Sequence, residues 1–325
     1  MYERERDLKS LFTRIAIALL FLILFFNIYS IACWESELLV ASFPDIVWLE
    51  CAADLLCSFL YLLSFLIPVW IFYGISRGKG ACPVDFSVTL PRSVGFLKTV
   101  SLVFVSLGTI IAAAYLNSWL VPMPSGMGGM TIEHPYQLVL LMFSGAVIPA
   151  FSEELLFRGV ILSNLKPYGK GMAILVSALL FGLMHMNLAQ FLYATVAGVV
   201  LGIVYMATHS LWLCILIHFA NNLFNIVENY MFYFFSAQTA GLICMCAELV
   251  IFAVGFGAAL LYWLTKKQGR LSERKTAIFG LDTEEMQQVE GHRVAKLFFC
   301  PAMIIFVLSA VVNMLYLLVV SSLAS

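Results

Sequence analysis

Long runs of apolar residues are the feature that most constrains how this chain can fold. Six runs reach the roughly 20 residues that a helix needs to cross a bilayer: 11–34, 46–73, 94–119, 136–164, 240–264 and 296–321. A further apolar region, 171–227, has weak breaks near Asn187 and His209 that divide it into three shorter helices. With 62% hydrophobic and 11% charged residues, the chain is too apolar for a water-soluble domain. We therefore expect an all-α, polytopic transmembrane helix bundle of about nine helices.

The positions of lysine and arginine predict how this bundle is oriented. All 18 basic residues fall before helix one or in the connections between helices two and three, four and five, and eight and nine, counting the few at the adjoining helix ends. Short cytoplasmic segments of membrane proteins accumulate positive charge. The N-terminus is therefore predicted to be cytoplasmic and the C-terminus to lie outside, as in a multi-pass protein of the cell membrane.

The domain organisation and the general partners follow from the same pattern. We expect a single membrane domain over residues 1–325, with a catalytic core at about 136–230 and peripheral helices at 11–119 and 240–321. Membrane lipids are its surroundings, and the net charge of −1 gives no reason to expect nucleic acid. The eight cysteines form no C-x-x-C pair and mostly lie within or beside apolar runs, so they indicate neither a disulfide framework nor a zinc cluster. The oligomeric state stays open.

Polar residues inside predicted membrane helices need an explanation, because a charged side chain near the bilayer centre costs roughly 2.5–3.5 kcal/mol on insertion scales. The first cluster is on helix four. Glu154 and Arg158 are four residues apart, so they share a helix face and can form an ion pair that supports the site. Glu153 lies about 100° away around the helix axis and is free to point into another space.

Two further clusters follow on the next helices. Phe181 and His185 form an F-x-x-x-H pattern, and His218 and Asn222 form an H-x-x-x-N pattern, each with its two members on one helix face. His185, His218 and Asn222 thus lie in the same part of the sequence as Glu153. Their side chains can transfer protons or donate hydrogen bonds.

The depths of these residues in the membrane can be compared by counting from the predicted cytosolic ends of their helices. At 1.5 Å per residue, Glu153, His185 and His218 lie about 16, 21 and 14 Å from the cytosolic side. We therefore expect them to share one layer of the bundle, with the cytosol as the nearer exit. Asn221 and Asn225 are further candidates to line the same cavity.

A carboxylate, two imidazoles and a carboxamide are a suitable set for hydrolysis of an amide by water. Glu153 could act as the general base on a water that His185 helps to hold. His218 and the Asn222 amide could donate hydrogen bonds to the developing oxyanion. This assignment needs neither a covalent nucleophile nor a cofactor.

A zinc site remains an alternative, since two histidines and one glutamate, here Glu153, His185 and His218, are a known catalytic zinc ligand set. Asn222 favours the metal-free assignment, because a carboxamide is a poor zinc ligand and a good hydrogen-bond donor to an oxyanion. The sequence has no H-E-x-x-H, G-x-S-x-G or G-x-G-D motif, which weakens the zincin, serine-hydrolase and intramembrane aspartyl alternatives.

At these residues the sequence resembles the CPBP family of intramembrane proteases, which groups CAAX prenyl endopeptidases with bacteriocin-processing and self-immunity proteins and is often called the Abi family. The matching patterns are E-E-x-x-x-R from Glu153 to Arg158, F-x-x-x-H ending at His185, and H-x-x-x-N from His218 to Asn222. The resemblance covers about residues 140–230. It implies that Glu153 and His185 activate water and that His218 and Asn222 stabilise the oxyanion, without a required metal.

The sequence is therefore compatible with three functions. The first is an intramembrane endopeptidase that cleaves a membrane-associated peptide or protein tail. The second is a non-proteolytic membrane protein that confers immunity by binding a bacteriocin-like peptide. The third is a transporter, since ionisable residues inside the membrane also mark transport pathways. The sequence shows no paired interrupted helices in two halves, which weakens the third.

Overall fold

The computed structural model describes residues 2–43, 45–78, 95–121, 135–269 and 291–324, and these are helical with short connections. Ten helices occur in chain order. They are α1 (Tyr2–Ser42), α2 (Val47–Ser76), α3 (Phe96–Leu120), α4 (residues 135–165), α5 (Lys170–Met184), α6 (Leu188–Thr208), α7 (Leu211–Phe234), α8 (Ala237–Gly269), α9 (Gly291–Phe298) and α10 (Pro301–Ala324). The expectation of an all-α polytopic bundle is confirmed.

Nine of these helices match the nine expected from the sequence. Seven are long and apolar enough to cross a membrane within the described residues, and two shorter apolar helices, Lys170–Met184 and Pro301–Leu317, complete the set. The chain is thus a multi-pass membrane protein. Residues 122–134, between α3 and α4, lie outside the described residues, as do the basic residues of the connections 79–94 and 270–290.

Helix α4 is interrupted by two wider, π-helical turns. It runs as Pro135–Met142, a π turn Phe143–Val147, an α segment Ile148–Glu154, a longer π segment Leu155–Leu162 and a last turn Ser163–Leu165. Pro149, in the α segment, has no backbone N–H to donate. Such π turns inside α-helices are frequent at functional sites. Here the longer π segment starts directly after Glu153 and Glu154, which changes the direction of the side chains that follow.

The breaks between α5, α6 and α7 lie where the sequence placed them. Asn187 caps α6, with its side chain accepting a 2.9 Å hydrogen bond from the backbone N–H of Ala189. Ser210 caps α7 in the same way, accepting from Leu213 N–H at 3.3 Å. His209 ends α6 in the left-handed region, at φ 52°. The two side-chain caps satisfy backbone donors at the starts of α6 and α7 and so fix where these helices begin.

Small residues let α5 and α6 approach closely. A Cβ atom added to Gly198 would lie 2.8 Å from the Cα of Ala178, closer than real Cβ contacts. The backbone of α6 therefore packs directly on α5 at this position. The approach also brings the carbonyl oxygen of Gly198 next to the side chain of Arg158.

Helices α1 and α2 form an antiparallel hairpin beside the core helices. Cys33 of α1 and Cys57 of α2 form a disulfide. The expectation that the cysteines indicate no disulfide framework was therefore wrong for this pair, which lies 24 residues apart in sequence and has no spacing motif. The bond lies toward the end of the hairpin that the basic residues assign to the outside, where disulfides persist. Cys51, Cys214, Cys244, Cys246 and Cys300 are free.

Candidate active site

A cavity of about 400 Å³ lies between the core helices and the hairpin. The four residues predicted to carry the chemistry all line it: Glu153 from α4, His185 from the end of α5, and His218 and Asn222 from α7. Asn221 and Asn225 line it as well. Part of the wall comes from outside the predicted core 136–230, namely from Phe26, Tyr29, Tyr61 and Ile110.

Glu153 lies at the wall of this cavity with 3% of its surface exposed. Its Oε1 accepts a 2.6 Å hydrogen bond from the hydroxyl of Tyr61. Its Oε2 is buried, lies 4.0 Å from Nε2 of His218 and has no hydrogen-bond partner among the described residues. A separation of 4.0 Å is too long for a direct hydrogen bond. One carboxylate oxygen is thus held, and the other lies close to an imidazole without contacting it.

Glu154 and Arg158 form a buried ion pair that also reaches a third helix. Arg158 Nη1 donates to Glu154 Oε1 at 2.8 Å, and the two side chains are 1% and 0% exposed. The same oxygen lies 2.9 Å from Nδ1 of His218 on α7. Arg158 Nη2 donates to the backbone carbonyl of Gly198 on α6 at 3.2 Å. The pair expected to support the site therefore connects α4, α6 and α7.

The contact with Glu154 determines how His218 is oriented. A carboxylate accepts hydrogen bonds, so Nδ1 of His218 carries a proton and donates it toward Glu154. Nε2 is then the nitrogen on the side of Glu153. The hydrogen bond to Glu154 thus sets the tautomer and the ring orientation of His218.

His185 is held by its own helix. Its Nδ1 lies 2.8 Å from the carbonyl oxygen of Phe181, one turn earlier, and a carbonyl can only accept, so Nδ1 carries the proton. In the neutral ring Nε2 is then an acceptor. The Phe181 ring contacts both imidazoles edge to face, with centroids 5.0 Å from His185 and 5.9 Å from His218. The guanidinium carbon of Arg158 lies 4.7 Å from the same ring centroid.

Asn222 contributes an amide to the cavity wall. Its Oδ1 accepts a 3.3 Å hydrogen bond from Nδ2 of Asn221. The Nδ2 group of Asn222 is therefore the part of the carboxamide that remains to donate to a ligand in the cavity.

The zinc alternative would use the Nε2 nitrogens of the two histidines. Nδ1 of each histidine is engaged, one by Glu154 and one by a backbone carbonyl, so Nε2 is the nitrogen of each ring that faces a water molecule or a metal ion. Across the residues that the structure describes, no group of three or more His, Cys, Asp or Glu side chains is arranged to hold a metal ion. Glu153, His185 and His218 line one cavity.

The cavity extends away from the cytosolic side that the sequence predicted as its nearer exit. Gln190, Asn225 and Asn229 line it beyond the level of the two histidines, toward the end of the bundle that carries the disulfide. There a second cavity of about 600 Å³ begins, and the two share Tyr29, Tyr61, Gly145 and Pro149. The second cavity is also lined by Glu37, Glu50 and Asp54. A count of residues along the helices gives no information on where the open space between them lies.

Tyr61 is the contact of Glu153 that the sequence did not reveal. The two residues are 92 positions apart and lie on different helices. A tyrosine in an aromatic-rich apolar helix is usually read as packing surface, and its neighbours Phe26, Tyr29 and Phe65 are indeed aromatic. No spacing rule links it to the E-E-x-x-x-R pattern.

Comparison with known proteins finds a family match for the segment that contains the predicted motifs. No curated protein and no solved structure matches the chain. Residues 135–224, rather more than a quarter of the chain, match the family model described as Type II CAAX prenyl endopeptidase Rce1-like. This stretch contains all four candidate residues, and the resemblance to the CPBP family is confirmed. Over residues 135–224 the chain is thus similar to the Type II CAAX prenyl endopeptidase Rce1-like family.

Proposed function

We propose that this protein is an intramembrane endopeptidase that hydrolyses a peptide bond with a water molecule activated by Glu153. The observation that supports it most strongly is the buried, unpartnered Oε2 of Glu153, which lies 4.0 Å from His218 Nε2 in a cavity shared with His185. Buried polar atoms without a partner are rare in proteins and are often functional.

The first step is the activation of water. A water molecule within hydrogen-bond distance of Glu153 Oε2 would lie near His218 Nε2, which is 4.0 Å from that oxygen, in the cavity that His185 also lines. His185 Nε2, as an acceptor, orients this water, and Glu153 takes its proton as the oxygen attacks the carbonyl carbon. General-base catalysis of this kind contributes about 10²- to 10⁴-fold to the rate.

The second step is the stabilisation of the oxyanion. The Nδ2 group of Asn222 donates one hydrogen bond to it. When both nitrogens of His218 carry protons, Nδ1 donates to Glu154 and Nε2 donates to the oxyanion. The tetrahedral intermediate collapses when the C–N bond breaks, and Glu153 returns its proton to the leaving amine. Atoms and charges balance without a covalent enzyme intermediate or a metal.

The substrate class is proposed from the cavity and from the family. The matching family model carries the description CAAX prenyl endopeptidase. A cavity enclosed by membrane helices suits a peptide or protein tail held at the membrane, and we propose a tail of this kind as the substrate of a CAAX-type or Abi-type endopeptidase in the cell membrane.

We expect purified protein in detergent to cleave at least one of a panel of internally quenched peptides. The panel pairs each sequence with and without a farnesylated CAAX tail, and mass spectrometry locates the cut. Cleavage at one defined peptide bond supports the proposal, and faster cleavage of the farnesylated member of a pair adds the CAAX class. A panel that stays intact under conditions where the protein remains folded contradicts it.

We also expect this cleavage to persist after treatment with a chelator, because the proposed chemistry uses only side chains. ortho-Phenanthroline should leave kcat within about twofold of the value measured with its non-chelating meta isomer, which controls for effects of the compound on the detergent micelle. Elemental analysis should find zinc well below one atom per chain. Chelator-sensitive activity with stoichiometric zinc would reverse the mechanism in favour of the metal.

A further inference from the structure

The hydroxyl of Tyr61 makes the hydrogen bond that holds the proposed base, and Tyr61 lies outside residues 135–224. We propose that Tyr61 is a positioning residue for Glu153 and that the α1–α2 hairpin completes the active site. This inference rests on the proposed function, because it assigns Tyr61 a role in the same reaction. It adds to the Rce1-like segment a residue that none of the three motifs contains.

The hydrogen bond makes the two carboxylate oxygens of Glu153 inequivalent. Oε1 is engaged by the Tyr61 hydroxyl at 2.6 Å, a short distance typical of a hydroxyl bonded to a charged acceptor. Oε2 is left on the side of His218. Rotation of the carboxylate would break the bond to Tyr61, so this bond keeps Oε2 directed at the place where the water must be held.

The position of the hydroxyl is in turn determined by the hairpin. The Tyr61 ring contacts Tyr29 and Phe26 of α1, both with centroids 5.4 Å away, and Phe65 of its own helix at 5.2 Å. Cys33 and Cys57, which form the disulfide, lie one helical turn from Tyr29 and Tyr61 respectively. Aromatic packing and a covalent link therefore hold Tyr61 from two sides, which suits a group that must hold a base in one orientation.

Replacing Tyr61 by phenylalanine removes this hydroxyl and keeps the ring that lines the cavity. The base can then rotate, so productive geometry is reached less often, whereas the surface that contacts a substrate hardly changes. We expect kcat to fall about 10- to 100-fold, the effect of losing one hydrogen bond to a charged group. KM should stay within about threefold. A change confined to packing would instead alter KM or stability.

A matched control exists elsewhere in the same bundle. Tyr115 of α3 donates a 2.6 Å hydrogen bond to Glu248 of α8, and neither residue lines the cavity. Tyr115→Phe therefore removes an equivalent bond between two helices. We expect both variants to lower the melting temperature by similar amounts and only Tyr61→Phe to lower kcat. Equal kcat values for Tyr61→Phe and Tyr115→Phe would overturn the positioning role.

A second measurement decides the inference without a substrate. The infrared difference between wild type and Glu153→Gln isolates the carboxyl bands of Glu153. These bands should shift in a Tyr61→Phe background and stay in place in a Tyr115→Phe background. Unshifted bands overturn the inference, and this holds even if no peptide of the panel is cleaved. Failure of the peptide panel alone counts against the proposed function and not against the bond between Tyr61 and Glu153.

Discussion

Glu153→Gln should lower kcat for the cleaved peptide by about 10²- to 10⁴-fold, the largest effect on activity that we expect from one substitution. Glutamine has nearly the same shape and can still accept the hydrogen bond from Tyr61, so the fold should be kept. It cannot take a proton from water. KM should change little, because the cavity wall is preserved. Steady-state kinetics in detergent, with melting temperatures measured in parallel, give both quantities.

Glu248→Gln is the control for this substitution. Glu248 is also buried, at 9% exposed, and accepts a tyrosine hydrogen bond of the same length, but it lies outside the cavity. We expect it to retain wild-type kcat. Glu153→Gln with undiminished cleavage would remove Glu153 from the role of base. If Glu153→Gln cells were instead fully protected against a bacteriocin-like peptide and the wild type cleaved nothing, the binding and immunity alternative would be favoured.

Much of the fold could be predicted, because the bilayer limits a chain of this kind to helices whose apolar runs match its thickness. The breaks at Asn187 and His209 could be found because capping and left-handed residues interrupt the apolar pattern. The length of α1 could not. Its apolar run predicts 11–34, whereas the helix extends over Tyr2–Ser42, since helical hydrogen bonds continue beyond the membrane into flanking polar sequence.

The residues of the site were predictable only within each helix. Spacing of four residues placed Glu154 with Arg158 and Phe181 with His185, and both contacts are present. Contacts between helices depend on how each helix is rotated about its axis. The spacing of residues in the sequence carries no information about this rotation. The bond from Glu154 to His218 and the bond from Tyr61 to Glu153 are of this second kind. The π turns of α4 add to the difficulty, because they change which side chains face a neighbour.

The bond from Glu154 to His218 changes what the neighbouring arginine does. One oxygen of Glu154 receives both Arg158 Nη1 and His218 Nδ1, so the carboxylate that orients His218 has its charge compensated by Arg158. Arg158 is further fixed by Gly198 and by the ring of Phe181. The stability of three helices and the orientation of one proposed catalytic residue therefore depend on a single buried guanidinium.

Arg158→Met should destabilise the protein by about 3–5 kcal/mol, because it leaves the Glu154 carboxylate buried without its compensating charge. Methionine fills a similar volume, so loss of packing contributes little. We expect a clearly lower melting temperature and, in the protein that remains folded, lower kcat from a misplaced His218. Denaturant titration and thermal unfolding in detergent, followed by circular dichroism, measure the loss.

Arg14→Met separates this charge effect from the general cost of losing a buried arginine. Arg14 is 7% exposed, and it donates hydrogen bonds to two neutral groups, the hydroxyl of Ser76 and the carbonyl of Ser10. Its replacement should cost about 1–2 kcal/mol. Adding Glu154→Gln to Arg158→Met should recover much of the stability, because the uncompensated charge is gone, but not the activity, because His218 loses its carboxylate. If the double variant were no more stable than Arg158→Met alone, the ion pair would not be what holds α4, α6 and α7 together.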